Sequence, residues 1–186
     1  MSRRERGPAT PVASRVATRA DIPAIAALIE ASVRGLGPPH YDARQIESSL
    51  AHLFGVDTAM IDDGTYLVIE EEERILACGG WSRRWTAFGG DRATPWRDAA
   101  LRDPATDAAV MRAFFVHPDH TRRGLGRYLM EASEEAARAA GFARFELVST
   151  LPGLPLYRAL GYREVEPLDV TLPDGVVIET VRMEKP

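Results

Sequence analysis

Residues 109–127 read AVMRAFFV HPDHTRRGLGR, from Ala109 to Arg127. The first eight are almost continuously apolar, as in a central strand buried on both faces. His117 to Arg123 form a polar loop. Gly124 to Ala140 then carry a helical period: Leu125, Leu129, Ala132 and Ala136 share one face, and Glu134 and Arg138 stand at i,i+4. Gly141 ends the helix, and Ala143 to Ser149 is the next strand. Strand, helix, strand predicts a right-handed crossover with parallel strands.

The junction of loop and helix carries chemistry. The first amides of a helix have no internal partner, and its dipole places partial positive charge there. Gly124 and Gly126 let a ligand approach the backbone, and Arg122, Arg123 and Arg127 add full charge. This pattern predicts a pyrophosphate cradle. It lacks the third glycine of a dinucleotide fingerprint.

Toward the N-terminus, Thr65 to Glu70 and Arg74 to Trp81 read as a hairpin. Asp42, with Gln45 three residues on, predicts a reciprocally capped helix whose stripe is Ile46, Leu50, Leu53 and Phe54. Asp21 predicts the cap of an earlier helix, with Pro23 in its first turn and Ile22, Ile25, Leu28 and Ile29 inward. Arg15 to Arg19 reads as a short strand. Toward the C-terminus, Leu154 to Leu160 is a short helix. Tyr162 to Leu172 and Val176 to Met183 flank the turn Pro173-Asp174-Gly175. Residues 82–107 show no period, a long connection that reads equally as an acceptor-selecting lid and as a solvated loop with aromatic anchors. The expected organisation is a disordered tail over 1–13 and one mixed α/β domain over 14–186.

Composition removes several functions. Among 186 residues the charges are 23 basic and 27 acidic, so no general affinity for nucleic acid or an anionic membrane is expected. The only lysine is Lys185, next to the C-terminus. A phosphate-loop NTPase, a kinase and a pyridoxal-phosphate enzyme each need an internal lysine. The one cysteine, Cys78, allows no internal disulfide and reads as a small buried hydrophobe. His117, Asp119 and His120 resemble metal ligands on paper but read as turn residues, so no metal is expected. No run is long enough to span a bilayer and the start has no secretory signal, which makes the expected location cytoplasmic.

The stretch through Val116, Pro118, Gly124 and Gly126 resembles the V-x-P-x-x-[QR]-x-x-G-x-[GA] signature of the GNAT-type N-acetyltransferase superfamily, with Thr121 where Gln or Arg is usual. Tyr157, Gly161 and Tyr162 are similar to the family's Y-x-x-x-G-[FY] ending. The resemblance spans about residues 15 to 183. It implies a mixed, mostly antiparallel sheet with splayed parallel fourth and fifth strands and helices on both faces.

It also implies roles. Acetyl-coenzyme A is the cosubstrate and a primary amine, small-molecule or protein, the acceptor. Phe114, Phe115 and Val116 bond the pantetheine arm, and Arg122, Arg123, Gly124, Leu125, Gly126 and Arg127 hold the pyrophosphate. A backbone amide near Phe115 polarises the thioester carbonyl. Tyr157 matches the general acid. Glu146 stands where relatives carry a water-binding glutamate. It reads equally as the base and as a partner for Arg112 on the neighbouring strand. Should Glu146 fail as the base, the acceptor arrives neutral or water chains serve. Relatives are often dimers, so a homodimer is allowed.

Two other readings compete. One is a catalytically idle acyl-coenzyme A sensor or partner-binding domain, kept open by Thr121 and by the lack of an acid on the fourth strand. The other is a nucleic-acid binder using Met1 to Arg6 and the Arg-rich loop, which the net charge of −4 opposes.

Overall fold

A computed structural model describes residues 13–186. Residues 1–12, most of the expected tail and the Arg-rich start, lie outside the described residues. The strands are β1 (Ser14–Val16), β2 (Tyr66–Glu71), β3 (Arg74–Ser82), β4 (Ala109–Val116), β5 (Phe145–Thr150), β6 (Arg163–Thr171) and β7 (Val177–Lys185). The helices are α1 (Ile22–Leu36), α2 (Ala43–His52), α3 (Thr58–Asp62), α4 (Leu125–Ala139) and α5 (Leu154–Ala159). One seven-stranded sheet has the order β1-β2-β3-β4-β5-β7-β6. Among the described residues only β4 and β5 pair in parallel, the outcome expected of the strand–helix–strand pattern.

Ile25, Leu28 and Ile29 of α1 pack with Tyr66, Val68 and Cys78 on one face of the sheet. On the other, Leu125 and Leu129 of α4 pack with Ile69, Leu76 and Ala77, and Met130 with Met111 and Phe145. A third cluster joins Tyr41, Ile46 and Leu53 to Val170, Leu172 and Ile178, closing the far end of the β6–β7 hairpin.

Local chemistry explains most element ends. Asp42 accepts from Gln45 N at 2.8 Å and Gln45 Oε1 accepts from Asp42 N at 3.0 Å, the expected reciprocal cap. Asp21 behaves differently. Its carboxylate accepts from Thr18 N and from Arg15, so it closes the turn before α1 and makes no side-chain bond to that helix. The short helix α3 is absent from the sequence reading, because five residues are too few to show a period. Asp57 caps it by accepting from Met60 N.

β4 departs from uniform burial in an informative way. Ala109 to Arg112 are buried, whereas Ala113 to Val116 are only partly so. Cys78 of β3 opposes Phe115 and Gly80 opposes Arg112. Three steps along β4 therefore face two along β3, which is a β-bulge, and Ala113 sits in the left-handed region at φ 61°. A Cβ at Gly79 would lie 2.3 Å from the Phe114 ring, so the bulge needs glycine opposite it. Beyond the bulge β4 bends away. Its pairing with β5 is confined to Ala109–Phe145 and Val110–Glu146.

Candidate active site

The splay opens a cleft of about 470 Å³ between the C-terminal half of β4, the start of α4, and α5. Its lining includes Phe114, Phe115, Val116, Arg122, Gly124, Leu125, Gly126, Arg127 and Tyr157. Nine of the residues expected from the sequence thus meet in one place. Arg123 and Glu146 do not line it.

At one end of the cleft is the start of α4. Gly124 is the N-cap at φ 83° and offers no side-chain cap, so the Leu125, Gly126 and Arg127 amides lack intrahelical partners. A Cβ at Gly124 would meet nothing within 4 Å. Glycine is needed here for its backbone conformation, and the space around it is free for a ligand. The three arginines differ. Arg123 donates to Glu71 (2.9 and 3.2 Å) and contacts His120 Nδ1 at 2.7 Å, which ties the loop to the β2–β3 hairpin. The Arg123 guanidinium holds the Glu71 carboxyl below its usual range. Arg127 leans on Glu131 at 3.5 Å. Arg122 makes no ion pair among the described residues. Thr121 Oγ1 donates to the Pro118 carbonyl at 3.2 Å, so this residue closes the turn from within.

Along β4, Phe115 pairs with Cys78 of β3 and the His117 N–H donates to Leu76 O at 2.9 Å. Alternation then turns the backbone of Phe114 and Val116 toward the gap. Tyr157 stands on α5 across the cleft, its ring 6.1 Å from that of Tyr162. Burial raises its phenol above the ordinary value, so it is a neutral donor throughout the physiological range. Cys78, also buried, has its thiol pushed up to about 12.

A smaller cavity of about 80 Å³ adjoins the cleft, between β4 and residues 87–90. Phe54, Phe114, Phe115, Thr150 and Tyr157 line both. Phe54 meets Phe115 edge-on at 5.8 Å. Phe54 closes the expected stripe of α2, but only its contact with β4 shows that it borders the site. Tyr41 gives no sequence signal either; its hydroxyl donates to Glu179 O and accepts from Leu151 N.

Glu146 opposes Val110, before the splay begins, and Arg102 holds it at 2.6 Å. Its partner is therefore not Arg112, although that residue lies on the adjacent strand. Arg112 instead donates to the Thr86 and Gly89 carbonyls and pairs with Asp57. Residues 82–108 are anchored by these contacts. Arg84 donates to Asp63 (2.6 and 2.7 Å), Arg102 stacks on Trp85 at 4.1 Å, and Phe88 packs on Trp96. Among the described residues, no group of three or more His, Cys, Asp or Glu side chains is placed to hold a metal, and no helix is long and apolar enough to cross a membrane.

The model of the acetyltransferase (GNAT) family matches residues 27–162. A solved GCN5-related N-acetyltransferase from Rhodopseudomonas palustris is 21% identical, with a TM-score of 0.70 over 95% of this chain and 96% of that one. The PaiA N-acetyltransferase of Thermoplasma acidophilum, in complex with coenzyme A, is 11% identical with a TM-score of 0.62 over 95% and 99%. A phosphinothricin acetyltransferase from Sinorhizobium meliloti, in complex with acetyl-CoA, is 19% identical with a TM-score of 0.62 over 95% and 89%. No curated protein matches the chain.

Proposed function

Since the chain belongs to the acetyltransferase (GNAT) family, we propose that it transfers an acetyl group from acetyl-CoA to a primary amine by direct attack, in the cytoplasm. One observation carries this reading. A single cleft runs from the unpartnered amides of α4, past the splayed edge of β4, to the phenol of Tyr157.

The residues fit a coenzyme A pyrophosphate. The Leu125, Gly126 and Arg127 amides point from a helix start, Gly124 leaves the approach open, and Arg122 lines the cleft with no ion pair among the described residues. Phe114 and Val116 offer backbone groups to an extended arm, and an N–H there is placed to stabilise negative charge on a carbonyl oxygen. Bound acetyl-CoA supplies the acetyl thioester. Tyr157 gives its proton to the departing sulfur. Glu146, held by Arg102 outside the cleft, anchors β5 to residue 102 and takes no proton.

Calorimetric titration with coenzyme A and acetyl-CoA tests the cradle, and release of free coenzyme A with an amine panel tests transfer. We expect both cofactor forms to bind the wild type, binding to be lost in a still-folded Gly124→Glu, and coenzyme A to be released only with an amine present. Binding without release for any amine would favour a sensor.

A further inference from the structure

The proton balance at the acceptor side is unusual. Among the described residues, neither cavity is lined by an aspartate or glutamate. Several carboxylates on bordering elements are held elsewhere. Asp57 is gripped by Arg112 and Arg97, Glu146 by Arg102, Asp174 by Ser48, and Glu47 by Arg34. Around Phe115 the walls are instead apolar, with Phe54, Phe88, Met111 and Ile178. The titratable and charged groups that do face the two cavities are Tyr41, Tyr157, His120, Arg112, Arg122 and Arg127. Four of these are cationic or become so on protonation, and both tyrosines are pushed toward their neutral forms by burial.

An ammonium ion entering this space would lose its hydration and gain no counter-charge. We infer that the acceptor is a weakly basic primary amine on an apolar group, such as a peptide α-amine or an arylamine, and that it enters as the free base. Lysine side chains and simple alkylamines are disfavoured. This rests on the transfer reading above. The atoms balance without a protein base. The amine nitrogen bonds to the thioester carbon as the carbon–sulfur bond breaks. The Tyr157 hydroxyl gives its proton to the sulfur, and the proton released by the nitrogen restores that hydroxyl, so Tyr157 is neutral before and after.

The test is the pH dependence of kcat/KM for matched amines: phenylalaninamide, 2-phenylethylamine, Nα-acetyl-lysine amide, aniline and a short peptide with an apolar first residue. An ordinary lysine amine titrates near about 10.4 and a peptide α-amine near about 8. With no protein base, kcat/KM rises about tenfold per pH unit and levels off at each acceptor's own pKa. We expect the break to move with the acceptor. At neutral pH phenylalaninamide should exceed 2-phenylethylamine by about tenfold or more. The peptide and aniline arms separate a protein N-terminus from a small aromatic amine. One break at the same pH for every acceptor would assign the proton to a protein group such as His120 and overturn the inference. So would equal rates for the lysine amide and phenylalaninamide at neutral pH. Bound acetyl-CoA with no turnover of any amine would remove the transfer reading itself, and this inference with it.

Discussion

Arg112 Nη2 and Asp57 Oδ2 lie 2.5 Å apart, with side chains only 4% and 1% exposed. The pair links the middle of β4 to the cap of α3. Arg112 also donates to the Thr86 and Gly89 carbonyls, so the same guanidinium fixes the segment that walls the smaller cavity. Removing one partner leaves a buried, uncompensated charge, which costs about 3–5 kcal/mol. Asp57→Asn and Arg112→Met should each lower Tm markedly in thermal unfolding. In the double variant the loss should be clearly less than additive. Additive losses would mean that the two side chains act independently.

Glu146 tests the division between structure and chemistry. A general base contributes about 10²–10⁴-fold to the rate. Glu146→Gln should instead leave kcat within a few-fold of wild type while weakening the contact to Arg102. A fall of about a hundredfold or more in kcat with unchanged stability would return Glu146 to the proton path.

Tyr157→Phe removes the proposed proton donor but keeps the ring. Coenzyme A affinity should be unchanged and kcat should fall about 10²-fold or more. Because burial raises the phenol above its ordinary value of about 10, its acid form persists as pH rises. The wild type should show no alkaline loss of activity through about pH 10. A decline beginning near pH 9 would mean that the donor is another group.

Ala113 holds the bulge at φ 61°. Glycine adopts this conformation without strain, so Ala113→Gly should keep the fold and coenzyme A binding. A β-branched residue is strained there. Ala113→Val should lower Tm and weaken coenzyme A binding by shifting Phe114 and Phe115. Equal binding by both variants would separate the bulge from the cleft.

Cys78 is fully buried beside Tyr66, and its thiol is pushed up to about 12. In the folded protein burial therefore keeps Cys78 almost entirely as the thiol at pH 8. A disulfide reagent should therefore label Cys78 only as fast as the protein unfolds. Labelling at the rate of a free thiol in the folded protein would contradict this environment.

Much was legible in the chain before its fold. The hydrophobic periods of 109–127 announced strand, loop and helix, because burial acts on each element through its own repeat. The parts of the proposed anion cradle were legible for the same reason: helix amides, glycines and arginines are local features of one loop. What only the tertiary structure decided is which distant side chains meet. Residue type showed that Glu146 needs a cation, but it could not say that Arg102 would supply it or that Arg112 would turn to Asp57. The strand order placing β7 between β5 and β6 likewise has no local signal. The splay of β4 depends on one extra residue opposite Gly79, a matter of register between two strands. Where the acids lie relative to the cleft follows from that register and from pairings across the chain. Local pattern thus determined the elements and the helix start proposed as the cradle, and long-range packing decided which side chains line the cleft.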